Sequence, residues 1–383
     1  MTEDLPPNPA LLPTGLVDLL PPHAEAEAIA VGRLMKMFHS HGYQRVKPPL
    51  VEFVDGLLAG TGAAMADQTF RLMDPDTHRM LGLRADMTPQ IARIAGTRLA
   101  GHPRPLRLSY AGQCLRVRGS QIDPDRQVAQ AGIELIGPDT PNADAEMVLL
   151  AAEALAGLGL DRISIDLTMP RLAPALLDEA GIAGPARTAL THALDRKDSA
   201  VVAEHGGPLA GLLTDLLLAA GPVGPALAVL ERATLGPAPA AMRQRLRDTV
   251  AVVQARAPGL RLTLDPLEFR GFRYHTGLCL TVYSQTRAEM LGRGGRYLSG
   301  DEAATGLSLF PDAILRVCPP PSLRPRAFLP WGAPHQAGAA LRAQGYATIP
   351  ALADIDDPTH EAARLGCTHI LLDGAAVPLN PES

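Results

Sequence analysis

The 383-residue chain is 46% apolar and 20% charged with a mean hydropathy of +0.07, as expected of a globular protein of about two or three domains; it has no apolar run near the roughly 20 residues that a spanning helix needs, which argues against a helical membrane protein. A net charge of −5, with lysine confined to Lys36, Lys47 and Lys197, leaves no electrostatic footprint for non-specific nucleic-acid binding. The acidic, Pro-rich start lacks the pattern of a secretory signal, and Cys114, Cys279, Cys318 and Cys367 lack metal or redox spacing, so a cytoplasmic protein with free thiols, no metal and no cofactor is expected.

In chain order, "HAEAEAIAVGRLMKMFHSHG" places Ile29 or Ala30, Val31, Leu34, Met35 and Phe38 at helical spacing, with Gly42 as the stop. "YQRVKPPLVEF" reads as a strand in which Pro48 and Pro49 interrupt ladder bonding. "TFRLMDPDTHRMLGLR" reads as a hairpin turning at Asp74–Thr77, and "TPQIARIAGTRLAG" as a helix capped by Thr88 with Pro89 in its first position. Two strands follow around a loop centred on "GSQIDPDR". A helix from residue 142 to 158 carries Asn142 as its expected cap, and "DRISIDL" is a strand.

Residues from about 170 to 257 are helical, broken by Gly-Pro pairs as an inserted subdomain would be. Strands resume with "LRLTLDPLEF", "GLCLTVYS" and "EMLGRGGRY", then an amphipathic "DAILRV". The proline run of "CPPPSLRPR" is a linker by composition, and beyond it strands and helices alternate as in a small parallel α/β unit. The expected domains are 1–318 and 323–383.

Polar groups gather at four strand ends. Asp86 and Thr88 in "LRADMTPQ" can accept from an ammonium, and Thr88 can equally serve as a helix cap. Arg116, Gln130 and Glu134 recur at same-face strand spacing, a pattern that solvated faces also produce. Arg270, Arg273, Tyr274 and His275 crowd into the glycine-flanked loop "RGFRYHTG", a better candidate for a binding site. "GRGGRY" permits close backbone approach beside Arg296 and Tyr297, or is a plain tight turn.

The order of these pieces carries more than any one of them. From about residue 10 to 316 the chain resembles the catalytic core of class II aminoacyl-tRNA synthetases, specifically histidyl-tRNA synthetase. "GYQRVKPPLVE" is similar to the dimer motif, "LRADMT" to the amino-acid loop, "CLRVRGSQIDPDRQVAQAGIELIG" to motif 2, "RGFRYHTG" to the histidine loop and "GGRY" to the start of motif 3. The resemblance implies an α+β fold with an antiparallel sheet core, flanking helices and a helical insertion, followed by a small C-terminal α/β domain like a vestigial anticodon-binding domain. It implies a histidine pocket formed by Asp86, Thr88, Arg116, Gln130, Glu134, Arg270, Tyr274 and His275, in which Asp86, Thr88 and Gln130 hold the α-amino group, Glu134 and the position of His275 read the imidazole, and Arg270 contacts the carboxylate end. Arg116 matches the arginine that grips the α-phosphate of ATP.

Two positions depart from the synthetase pattern. Arg118 stands where an acceptor for the adenine amino group is needed, and Ala313, after Pro311, where an arginine would lie against ATP. Loss of one preorganised donor typically costs about 10² to 10³ in rate, so adenylation is expected to be lost or vestigial. "LRADMTPQIAR" and "YHTG" resemble instead a synthetase-like family, the regulatory subunits of ATP phosphoribosyltransferase. That resemblance implies a non-catalytic protein that joins the short-form catalytic subunit in a hetero-octamer, as a synthetase-like dimer, in histidine biosynthesis and its feedback regulation. Alternatives are an active histidyl-tRNA synthetase with divergent nucleotide contacts and a synthetase-like enzyme acting on another amino acid.

Overall fold

The computed structural model describes residues 10–119, 124–269, 274–318 and 323–379; Arg270 and Arg273, the centre of the "GSQIDPDR" loop and most of the proline run lie outside them. The chain folds as two compact units, Met1–Pro319 and Pro320–Ser383.

In the first unit, helix α1 (His23–Ser40) buries Ala26, Ala30, Leu34, Met35 and Phe38, one face of a 3.6-residue period, and ends before Gly42 at φ +81°. The single strand expected next is two. β1 (Gln44–Arg45) pairs in the central sheet, and β2 (Val51–Phe53) in another. Pro48 and Pro49 between them have no N–H to donate, and their carbonyls are taken by buried side chains: Arg84 Nη1 donates to Pro48 O at 3.2 Å and Gln90 Nε2 to Pro49 O at 2.8 Å.

After the one-turn helix α2 (Val54–Leu57) and a 3₁₀ stretch, β3 (Arg71–Met73) and β4 (Met80–Leu83) form the expected hairpin. Its turn is closed by Thr77 Oγ1 donating to Asp74 at 2.5 Å, and with β2 it makes a three-stranded sheet. Helix α3 (Thr88–Gly96) is not capped by the Thr88 hydroxyl. Met87 holds the cap position, and the Asp86 carboxylate accepts the Thr88 N–H at 2.8 Å, which leaves the hydroxyl free to face the sheet.

The central sheet adds β5 (Leu106–Leu115), β6 (Gln127–Ile136), β7 (Ile163–Thr168), β8 (Gly221–Pro222), β9 (Arg261–Asp265), β10 (Cys279–Ser284), β11 (Met290–Ser299) and β12 (Glu302–Leu309). Nine strands run in the order β1-β5-β6-β12-β11-β10-β7-β9-β8, antiparallel from β5 to β7 and parallel where β1 meets β5 and β7 meets β9. "GRGGRY" is therefore mid-strand in β11, not a turn.

Helix α4 (Pro141–Ala156) is capped by Thr140, whose hydroxyl accepts the Ala143 N–H at 3.3 Å, rather than by Asn142; Pro141 takes the first helical position because its missing N–H is an orphan there anyway. Between β7 and β9 the chain forms α5 (Leu172–Glu179), α6 (Gly184–Asp195), α7 (Ser199–His205), α8 (Ala210–Leu218), α9 (Val223–Arg232) and α10 (Pro237–Arg256). Their buried leucines, among them Leu176, Leu213 and Leu246, share one core with α1, α4 and one face of the sheet. Pro311 starts α11 (Pro311–Val317) at a first-turn position rather than disturbing it.

The second unit carries β13 (Arg326–Leu329), α12 (His335–Ala343), β14 (Ala347–Pro350), α13 (Pro358–Arg364) and β15 (His369–Leu372) in the expected alternation. A further strand, β16 (Ala375–Pro378), turns back antiparallel through Asp373 and Gly374 at φ +48° and +82°, a tight Asp-Gly hairpin that sequence inspection passed over. Among the described residues, no helix is long and apolar enough to cross a membrane.

Candidate functional site

The pleat of β6 sorts its side chains. Ala131, Ile133 and Leu135 enter the helical core, while Val128, Gln130, Glu134 and Ile136 point to the other face. The registers bring partners to that face: Tyr110 on β5 lies opposite Gly132, Gly306 on β12 opposite Glu134, and Ser308 opposite Gly132. On β11, Arg293 is opposite Ser308, and Tyr297 follows two pleats on. Helix α3 covers this face with Met87, Ile91 and Ala95, so the polar groups at its margin are enclosed instead of solvated. Gln130 and Glu134 are only 4% and 1% exposed, which rules out the solvated-face reading of their spacing.

Glu134 is the hub. Its Oε1 accepts from Thr88 Oγ1 at 3.0 Å and from Tyr110 Oη at 3.1 Å, and its Oε2 from Tyr297 Oη at 2.8 Å. Tyr110 Oη also meets Ser308 Oγ at 3.0 Å. Gln130 donates to Asp86 Oδ1 at 3.1 Å and Ser308 Oγ at 2.8 Å, and its oxygen accepts the Met87 N–H at 3.0 Å. Glycines make the room: a Cβ on Gly306 would lie 1.8 Å from Glu134 Oε2, and one on Gly132 2.5 Å from the Tyr110 hydroxyl.

These groups bound a narrow inner cavity lined by Asp86, Thr88, Glu134, Tyr274, His275 and Arg293. Tyr274 stacks on His275 with ring centroids 4.3 Å apart and meets Tyr297 edge-on at 6.1 Å. Burial pushes the Glu134 carboxyl up to about 8, against the hydrogen bonds from Tyr297 and Thr88 that favour its anion. When Glu134 holds its proton, one of its hydroxyl partners accepts. Burial, with the charge of Arg293 adding to it, holds His275 down to about 3, so its imidazole is neutral at physiological pH. The site can thus offer carboxyl groups, hydroxyls and a neutral ring to a small polar ligand. Among the described residues no cluster of His, Cys, Asp and Glu could hold a metal ion.

Arg293 also lines a wider outer cavity, together with Arg116, Tyr283, Phe310 and Ala313. Ala313 contributes only a methyl group there. Arg316 is engaged by Glu289 at 2.6 Å and lies 3.8 Å from Asp125. Arg118 is exposed.

Of the residues singled out from sequence, Asp86, Thr88, Glu134, Tyr274 and His275 come together on the inner cavity, and Gln130 stands behind them, bonded to Asp86. Arg116 is on the outer cavity instead, and Arg270 lies outside the described residues. Arg296 turns away from the site, its guanidinium bonded to Asp144 Oδ1 at 2.7 and 3.0 Å. Tyr110, Ser308 and Arg293 were missed. Strand alternation marks each as a one-face position, but nothing local reveals that β5, β12 and β11 flank Glu134.

The sequence profile of histidyl-tRNA synthetase matches residues 15–314. A Gluconobacter oxydans protein named ATP phosphoribosyltransferase regulatory subunit is 52% identical over 373 residues, 97% of this chain and 98% of that protein. A Paramagnetospirillum magneticum protein of the same name is 53% identical over 372 residues, again 97% and 98%. Among solved structures, a Bacillus halodurans protein described as ATP phosphoribosyltransferase regulatory subunit/histidyl-tRNA synthetase superposes with a TM-score of 0.77 at 23% identity, covering 92% of this chain and 96% of that one. A histidyl-tRNA synthetase from a Nostoc species gives 0.78 at 16% identity, covering 94% and 91%. These structures establish the class II synthetase-like α+β fold.

Proposed function

This chain belongs to the family of ATP phosphoribosyltransferase regulatory subunits, and from that premise we propose that it is the non-catalytic, histidine-binding partner of a short-form catalytic subunit in the cytoplasm. The observation that carries the reading is the contrast between the two cavities. The inner one keeps a buttressed set of polar groups around Glu134, while the outer one is lined by the uncharged Ala313 and by an Arg316 already engaged by Glu289.

Histidine suits the inner cavity on chemical grounds. Its ring has one donor and one acceptor nitrogen, and Glu134 with the His275 ring can meet both; Asp86 supplies an anion for the ammonium, held in place by Gln130. Regulation then requires only that histidine prefer one arrangement of the complex, and a coupling of about 1–3 kcal/mol changes the partner's affinity or state about 5- to 150-fold. Assembly into a hetero-octamer through a synthetase-like dimer fits the exposed Leu72, Met73 and Met80 on the three-stranded sheet, which leave an apolar margin for a second copy. The second unit follows the first in sequence as an anticodon-binding domain would, with an acidic composition unsuited to tRNA.

The test is a pair of measurements on the purified chain. Calorimetric titration with L-histidine is expected to show binding that Glu134→Ala abolishes, and the catalytic subunit is expected to co-purify and gain activity. Histidine-dependent ATP–pyrophosphate exchange at synthetase rates would refute the reading in favour of an active synthetase.

A further inference from the structure

Arg293 stands on β11 opposite Ser308 and belongs to the walls of both cavities, at the boundary between them. It is the one arginine or lysine among the described residues lining the inner cavity. Three residues on, Arg296 points the other way and is locked onto Asp144 at 2.7 Å; among the described residues no hydrogen bond or ion pair engages Arg293. Its charge nevertheless reaches Tyr274 and His275 inside the cavity.

The inner cavity therefore has polarity along its length. Asp86 and Glu134 lie among the hydroxyls of Thr88, Tyr110 and Tyr297, and a guanidinium with free donors stands at the boundary with the outer cavity. A free α-amino acid carries the complementary pair, an ammonium and a carboxylate on one carbon, and a guanidinium binds a carboxylate through two parallel charge-assisted hydrogen bonds. We propose that Arg293 binds the α-carboxylate of the amino acid and makes the cavity selective for the acid over the corresponding alcohol. This assignment rests on the reading of the inner cavity as a histidine site. It gives Arg293 the role that the resemblance to synthetases assigns to Arg270.

The experiment is calorimetric titration of the 383-residue chain with L-histidine and with L-histidinol, which replaces the carboxylate by an alcohol. The wild type is expected to prefer histidine by at least about 10-fold; R293Q loses about 10- to 100-fold for histidine and less than about threefold for histidinol, and R293K recovers part of the loss. Circular dichroism checks that each variant is folded, and if R293Q is not, the ligand ratio of R293K is read in its place, a ratio below the wild type's being the expected result. The proposal is overturned if the variant read keeps the wild-type preference, or if R270Q erases that preference while the Arg293 variant retains it. A wild type that binds both ligands equally refutes the role of Arg293 and leaves the histidine reading standing. Binding to neither removes both.

Discussion

Gln130 donates to Asp86 Oδ1 at 3.1 Å across 44 positions of sequence, tying the turn that opens α3 to the middle of the central sheet. The same amide donates to Ser308 and accepts from the Met87 backbone, so each of its polar atoms has a protein partner. In the proposed histidine site its part would be to hold Asp86 in place.

Gln130→Leu should act in two ways at once. It leaves Asp86, Ser308 and the Met87 N–H each short of a buried partner, a loss of about 1–3 kcal/mol of folding stability. Because Asp86 is then free to move, histidine affinity should fall about 10-fold, more than stability alone explains. Urea unfolding and calorimetry on the same preparation measure the two effects, and an unchanged affinity in a folded variant contradicts the positioning role.

Glu134 and His275 each make the stability of the unliganded protein depend on pH. Glu134 is raised from 4.5 to about 8 in the fold, so its contribution is fully present below about pH 4.5 and is lost as pH rises through 8. His275 is lowered from 6.5 to about 3, so its contribution is present above pH 6.5 and is lost as pH falls toward 3. Thermal unfolding of wild type and Glu134→Gln between about pH 6.5 and 9 isolates the first group. The wild type should lose stability relative to the variant across that range, and parallel curves would show that Glu134 titrates normally.

Gly306→Ala places a methyl carbon 1.8 Å from Glu134 Oε2, an atom already bonded to Tyr297. The carboxyl cannot swing aside without breaking that buried network. A cost of about 1–3 kcal/mol in stability is expected, together with loss of detectable histidine binding. Gly96→Ala, on α3 where a Cβ meets nothing within 4 Å, is the control and should leave binding unchanged.

Arg296 and Asp144 form a buried pair at 2.7 Å, with side chains 7% and 2% exposed, away from the cavity. Arg296→Leu leaves the Asp144 charge with Arg245 as its one remaining ion-pair partner among the described residues, and should cost about 3–5 kcal/mol. The double variant Arg296→Leu, Asp144→Leu should recover part of that loss. In both, histidine affinity per folded molecule should match the wild type, and a specific loss of affinity would show that the pair shapes the site.

Much of this protein was legible from its sequence, because the signals involved are local. The apolar spacing of α1, the Asp74–Thr77 turn, the Pro-Gly punctuation of the helical stretch and the order of the synthetase-like motifs all lie within short segments, and motif order identified the family. Where a choice between neighbouring residues depended on geometry, inspection chose wrongly: Asn142 over Thr140 as a cap, Thr88 over Asp86 at the start of α3, and one strand where Pro48 and Pro49 make two.

Only the tertiary structure decided which groups share the cavity. The alternation of β6 places Gln130 and Glu134 on one face whatever the fold, but whether that face meets water depends on α3 lying over it. Tyr110 and Ser308 touch across 198 positions, and Arg293 enters the cavity wall because β11 pairs with β12, which in turn pairs with β6. A strand's own residues determine which way its side chains point. Which strands lie beside it is settled by long-range pairing and burial, and no short stretch of chain encodes that by itself.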